Sequence, residues 1–93
     1  MAYYMKANDN KVLELMDLSI QKDKTDPDAY FIKGMTFNYM KQFDKAIESF
    51  NKAIELDSTN SNYFSGLGDS YVSQEKYKKA LTAYNTATEK NEP

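Results

Sequence analysis

The chain repeats itself at a spacing of 34 residues, and this self-similarity limits its possible folds more than any other feature of its 93 residues. Gly34 recurs as Gly68, Phe37 as Tyr71, Phe43 as Tyr77, Ala46 as Ala80, Phe50 as Tyr84 and Ala53 as Ala87, while Tyr30 is matched by Phe64. Small residues stay small and aromatic residues stay aromatic, and the positions between them vary freely. Packing sets the first group of positions; solvent leaves the second unconstrained.

Within each unit the periodicity is helical. Tyr30, Gly34 and Phe37 fall on one face at i, i+4, i+7, and Phe43, Ile47, Phe50 and Ile54 do the same for a second helix. Asp26-Pro27 supplies an N-cap followed by proline at the first helical position, and Asn60-Ser61 marks the corresponding start one unit later. Lys41-Gln42 and Glu75-Lys76 are short polar turns suited to antiparallel hairpins. No sustained alternation and no Asn-Gly or Asp-Gly turn argues for strands. Helices that cross closely need small residues at the contact, a role open to Gly34, Gly68, Ala46 and Ala80. Glycine inside a helix costs about 1 kcal/mol relative to alanine, so its recurrence at one register position points to close packing.

These residues resemble the tetratricopeptide repeat, whose pattern is aromatic-x2-Leu-Gly-x2-Tyr, then Ala-x3-Phe, then Ala and Pro, over about 34 residues. Tyr30, Gly34, Phe37, Ala46, Phe50 and Ala53 fit, with Lys33 in place of leucine; Phe64, Leu67, Gly68, Tyr71, Ala80, Tyr84 and Ala87 fit more fully. Ser58 and Glu92 stand where the closing proline belongs, which predicts looser junctions. The resemblance implies an all-α fold of stacked antiparallel helical hairpins forming a short right-handed solenoid. It divides a single domain, residues 1–93, into a degenerate unit at 1–26 and full units at 27–60 and 61–93. In the partial unit, Asn10 to Lys22 reads as an amphipathic second helix, preceded by a short partner over Ala2 to Asn8. With no polar capping helix after Glu92-Pro93, a fragment of a longer array is expected, a small complete protein being the alternative.

Composition removes several kinds of chemistry. Neither cysteine nor histidine is present, which excludes disulfides, thiolate and Ser–His nucleophiles, and argues against metal or haem sites. Cysteine's absence leaves the compartment undecided. Glu48 and Glu55 lie on a solvated helix face rather than in a cleft, and Gly34, Gly66 and Gly68 lie inside helices rather than in a phosphate loop. The chain therefore reads as non-enzymatic, without metal or cofactor. All twelve basic residues are lysine against fourteen acidic ones, a net charge of −2, which argues against nucleic acid. There is no eighteen-residue apolar run for membrane insertion and no signal-peptide pattern.

What remains is a surface. The resemblance implies that the first helix of each hairpin lines a concave groove that takes peptides. Its positions map to Tyr4 and Met5 in the partial unit, to Asp28, Phe31, Met35, Asn38 and Tyr39 in the middle unit, and to Asn62, Ser65, Asp69, Val72 and Ser73 in the last. Of thirteen aromatic residues, Tyr4, Phe31, Tyr39 and Tyr63 are surplus to the packing pattern. Phe31, Met35 and Tyr39 form one stripe, so the helix after Pro27 is apolar on nearly all sides and needs a cover. Three covers fit: the missing half of the first unit, a protein or peptide partner, or a second copy in a homo-oligomer. The expected function is a scaffold or adaptor that binds an apolar or amphipathic segment. The competing reading is a structural or self-assembling segment of a larger protein. Relatives that clamp acidic chaperone tails use basic groove residues; Phe31, Met35, Asn62 and Gly66 stand there instead, which predicts no such binding.

Overall fold

The computed structural model describes residues 6–91, which form five helices: α1 (Lys6–Lys22), α2 (Pro27–Tyr39), α3 (Phe43–Leu56), α4 (Ser61–Ser73) and α5 (Tyr77–Asn91). No strand occurs among the described residues. Each helix packs on its chain neighbour from α1·α2 through α4·α5, except that α2 also touches α4. The result is a short helical-repeat solenoid with α2 and α4 side by side along one face. One expectation fails at the start of the chain. Lys6 to Asn8 continue directly into α1 rather than turning back as a separate helix. The Asn8-Asp9-Asn10 stretch holds no proline or glycine to break the helix, and Asp9 in the first turn suits the positive end of its dipole. Ala2 to Met5 lie outside the described residues.

The helix starts follow the local chemistry. Asp26 accepts a hydrogen bond from the Asp28 backbone N–H at 3.0 Å, and Asn60 accepts from that of Asn62 at 2.9 Å. The expected looseness at Ser58 is not seen. Asp57 Oδ1 accepts from Thr59 N at 3.0 Å and Thr59 Oγ1 at 2.6 Å, and Asp23 binds Thr25 in the same way one unit earlier. These bonds favour the ionised form and hold both carboxyls below their ordinary value of 3.8. Their contribution to stability is present above that value and lost as acid protonates them.

Both hairpins turn through a left-handed residue that is not glycine: Lys41 at φ 62° and Glu75 at φ 60°. The Gln42 N–H donates to Phe37 O and the Lys41 N–H to Asn38 O, while Lys76 and Glu75 repeat this with Tyr71 and Val72. This is the Schellman ending, normally built on glycine. Lys41→Gly should therefore stabilise the protein by up to about 1 kcal/mol. Thermal unfolding followed by circular dichroism checks this; a lower midpoint would contradict the turn geometry.

The core is centred on Phe50, fully buried with Ala46 and Ala53 of the same helix. Its ring lies between two glycines. A methyl group on Gly34 of α2 would sit 2.7 Å from the ring, and one on Gly66 of α4 would sit 2.6 Å from it. Gly68 meets Tyr84 in the same manner, at 2.7 Å. The recurrent pair Gly34 and Gly68 thus admits an aromatic ring within each hairpin. Gly66, which stands where the preceding unit has Ile32, admits Phe50 across the junction between units. Lys33, the departure from the repeat pattern, pairs with Asp17 of α1 at 2.7 Å. Gly66→Ala should destabilise by about 1–3 kcal/mol despite alanine's better helix propensity, because the added methyl would sit 2.6 Å from the buried Phe50 ring. Chemical denaturation would expose the error if the variant were as stable as the parent.

Candidate functional site

Between α2 and α4 lies an open cleft of about 370 Å³. Its α2 wall carries Phe31, Met35, Asn38 and Tyr39; its α4 wall carries Asn62, Ser65, Asp69 and Ser73; Phe43, Phe50 and Gly66 complete it. Eight of the twelve groove residues named from sequence are thereby brought together: Phe31, Met35, Asn38, Tyr39, Asn62, Ser65, Asp69 and Ser73. Val72 is 41% exposed but does not line the cleft, and neither does Asp28. Tyr4 and Met5 lie outside the described residues. Phe43 and Phe50, assigned from sequence to packing alone, also line the cleft, as does Gly66, which the sequence marked only as an uncharged groove position.

The surplus aromatics separate into two groups. Tyr39 is 63% exposed and Met35 38%. Phe31 is half-buried, its ring 5.8 Å from that of Phe50 and 5.2 Å from that of Tyr63. Tyr63, with no packing role assigned from sequence, is 1% exposed and among the largest fully buried side chains. It occupies the register position of Ala29, where a larger side chain reaches from α4 back onto α2. Its hydroxyl donates to Asp28 Oδ1 at 2.6 Å.

Two further polar contacts set the walls. Ser70 Oγ, fully buried, donates to Asn38 Oδ1 at 2.7 Å and joins α4 to α2. Asn38 therefore holds the groove together as well as facing it. The Tyr84 hydroxyl donates to Asp69 Oδ1, tying α5 to α4. Burial, reinforced by the hydrogen bond and charge of Asp28, pushes the Tyr63 phenol up to about 12; burial with Asp69 does the same for Tyr84, also to about 12. Raised phenol values favour the protonated folded state. That stability is fully present below the ordinary value of 10.0 and is lost as pH rises through about 12. In an alkaline titration followed by phenolate absorbance, Tyr63 and Tyr84 should each ionise late, at about pH 12. Tyr63→Phe should remove one of these late transitions; an unchanged late component would refute the assignment.

Among the described residues no cluster of three or more acidic, histidine or cysteine side chains could hold a metal ion. No helix among them is long and apolar enough to cross a membrane. The cleft has a largely apolar α2 wall that also carries Asn38, and a polar α4 wall with one carboxylate.

Comparison with known proteins agrees with this architecture. Two tetratricopeptide repeat family models match the chain, one over residues 27–60 and the other over 62–91. The chain belongs to the tetratricopeptide repeat family. Together the matches take in both complete hairpins, α2–α3 and α4–α5, and the family is a protein-interaction fold rather than a catalytic one. This chain is accordingly a protein-interaction repeat module. Among solved structures it is similar to a crystal structure of MamA, with a TM-score of 0.85 and 23% identity, over 89% of this chain and 48% of that one. It is also similar to MamA from Desulfovibrio magneticus RS-1, with a TM-score of 0.83 and 24% identity, over 88% of this chain and 46% of that one. The likeness is one of fold, and the tetratricopeptide segment spans about half the length of these chains. No curated protein matches the sequence.

Proposed function

We propose that this tetratricopeptide chain is an adaptor that holds an apolar or amphipathic segment of a partner protein in the cleft between α2 and α4. One observation carries the reading: Met35 and Tyr39 stand 38% and 63% exposed on the wall of a cleft, although the packing of the repeat does not require them there. Burying two such side chains is worth about 3–6 kcal/mol before ordering costs, enough for micromolar binding. Residues 1–93 are taken as one domain, with 1–26 a partial unit beside full units at 27–60 and 61–93.

A second reading has its own support. Tyr77 and Leu81 of α5 are each 61% exposed on the terminal helix, at register positions where Phe43 and Ile47 are half-buried one unit earlier. A structural segment that stacks on a neighbouring domain or copy would cover them. Affinity capture read by mass spectrometry separates the two readings. Met35→Ser with Tyr39→Ser should abolish capture of the partner while leaving helicity and the thermal midpoint nearly unchanged. Leu81→Lys should leave that capture intact. Phe31→Ser should unfold the groove wall, because Phe31 stacks on Phe50 and Tyr63. If the double variant captures the same proteins and Leu81→Lys loses them, the groove reading falls and the stacking reading stands.

A further inference from the structure

The two walls of the cleft occupy equivalent positions in successive units and differ in chemistry. Phe31, Met35 and Tyr39 of α2 correspond, 34 residues on, to Ser65, Asp69 and Ser73 of α4, and all six line the cleft. Each triplet is spaced i, i+4, i+8, so each forms a stripe along its helix, about 12 Å long at the helical rise. One stripe is apolar throughout. The other is polar throughout and has a carboxylate at its centre.

We propose that the occupant is an extended, cationic segment of a partner protein, its side chains alternating between apolar groups against α2 and lysine, arginine or small polar groups against α4. This rests on the groove reading and narrows it. Two observations carry it.

The first is the arrangement of the walls, two stripes about 12 Å long on neighbouring helices. An extended segment covers the same length with about four residues and sends successive side chains to opposite sides. Opposite walls of opposite chemistry suit that alternation.

The second is charge. Of the residues lining the cleft from α2, α3 and α4, Asp69 alone is charged, and no lysine faces it there. Tyr84 donates to Asp69 Oδ1, which fixes the direction of the carboxyl group. An acidic segment would meet this charge without compensation, whereas a basic one would neutralise it.

The test is selection of a random peptide library displayed on phage against the purified chain. Recovered sequences should alternate apolar with polar residues, be enriched in lysine and arginine, and be depleted in aspartate and glutamate. Binding of the best recovered peptide, followed by fluorescence anisotropy, should fall about three- to ten-fold in Asp69→Asn and weaken with added salt. That variant keeps an acceptor for Tyr84. Met35→Ser with Tyr39→Ser should abolish the binding. Groove-dependent peptides that are acidic, that show helical spacing, or that bind Asp69→Asn equally well would overturn this inference and leave the groove reading intact. No enrichment, or peptides indifferent to the double variant, would overturn both.

Discussion

Everything in this fold depends on a phenylalanine ring held between two backbones. Phe50 of α3 has no solvent exposure, and the helices on either side approach it so closely that neither Gly34 nor Gly66 has room for a methyl group. The first glycine closes a hairpin and the second joins that hairpin to the next. A single side chain therefore sets the spacing within a unit and between units. It also sets the width of the cleft, because α2 and α4 are the two helices it holds apart. Exchanging either glycine for a larger residue would move a wall of the cleft as well as weaken the core.

Around that contact, polar side chains fix what apolar packing leaves free. Burial is non-directional, so a ring between helices does not by itself settle how they rotate or slide. The Tyr63–Asp28 and Ser70–Asn38 bonds both run from α4 to α2, one near the start of α2 and one near its end. With both formed, the stripes of the two walls face each other in a defined register. Lys33 and Asp17 make a comparable link from α2 to α1, at the one position of the middle unit where leucine is missing. A charged residue in a packing position here reflects a partner on the adjacent helix rather than a defect in the repeat.

Some of this was open to inspection in the sequence. Asp26-Pro27 and Asn60-Ser61 announce helix starts, and both cap as their side-chain chemistry dictates. The recurrence of Gly34 as Gly68 announces close approach, and each meets an aromatic ring. The break expected before Asn10 was misplaced because asparagine and aspartate serve equally well in a first helical turn. The junction at Ser58 was expected to be loose for want of proline, yet Asp57 and Thr59 achieve by hydrogen bonding what a ring would achieve covalently. Tyr63 was left without a packing role for a different reason. Its register partner is Ala29, and a period of small residues gives no warning that one copy will carry a large ring into the next unit.

The sequence by itself determined the kind of helices, their hairpin pairing in the two complete units and the set of residues facing the groove from those units, Asp28 and Val72 excepted. These follow from periodicity and caps, which act within a few residues along the chain. The tertiary structure alone decided which groove residues are exposed and which are held. Phe31, Met35 and Tyr39 form one continuous stripe in sequence, but Phe31 lies against Phe50 and Tyr63, whereas Met35 is 38% and Tyr39 63% exposed. Likewise Asp69 and Asn38 read as free polar groups until Tyr84 and Ser70 arrive from other helices to bond them. Exposure depends on what other segments bring to the same place, and a one-dimensional pattern does not carry that information.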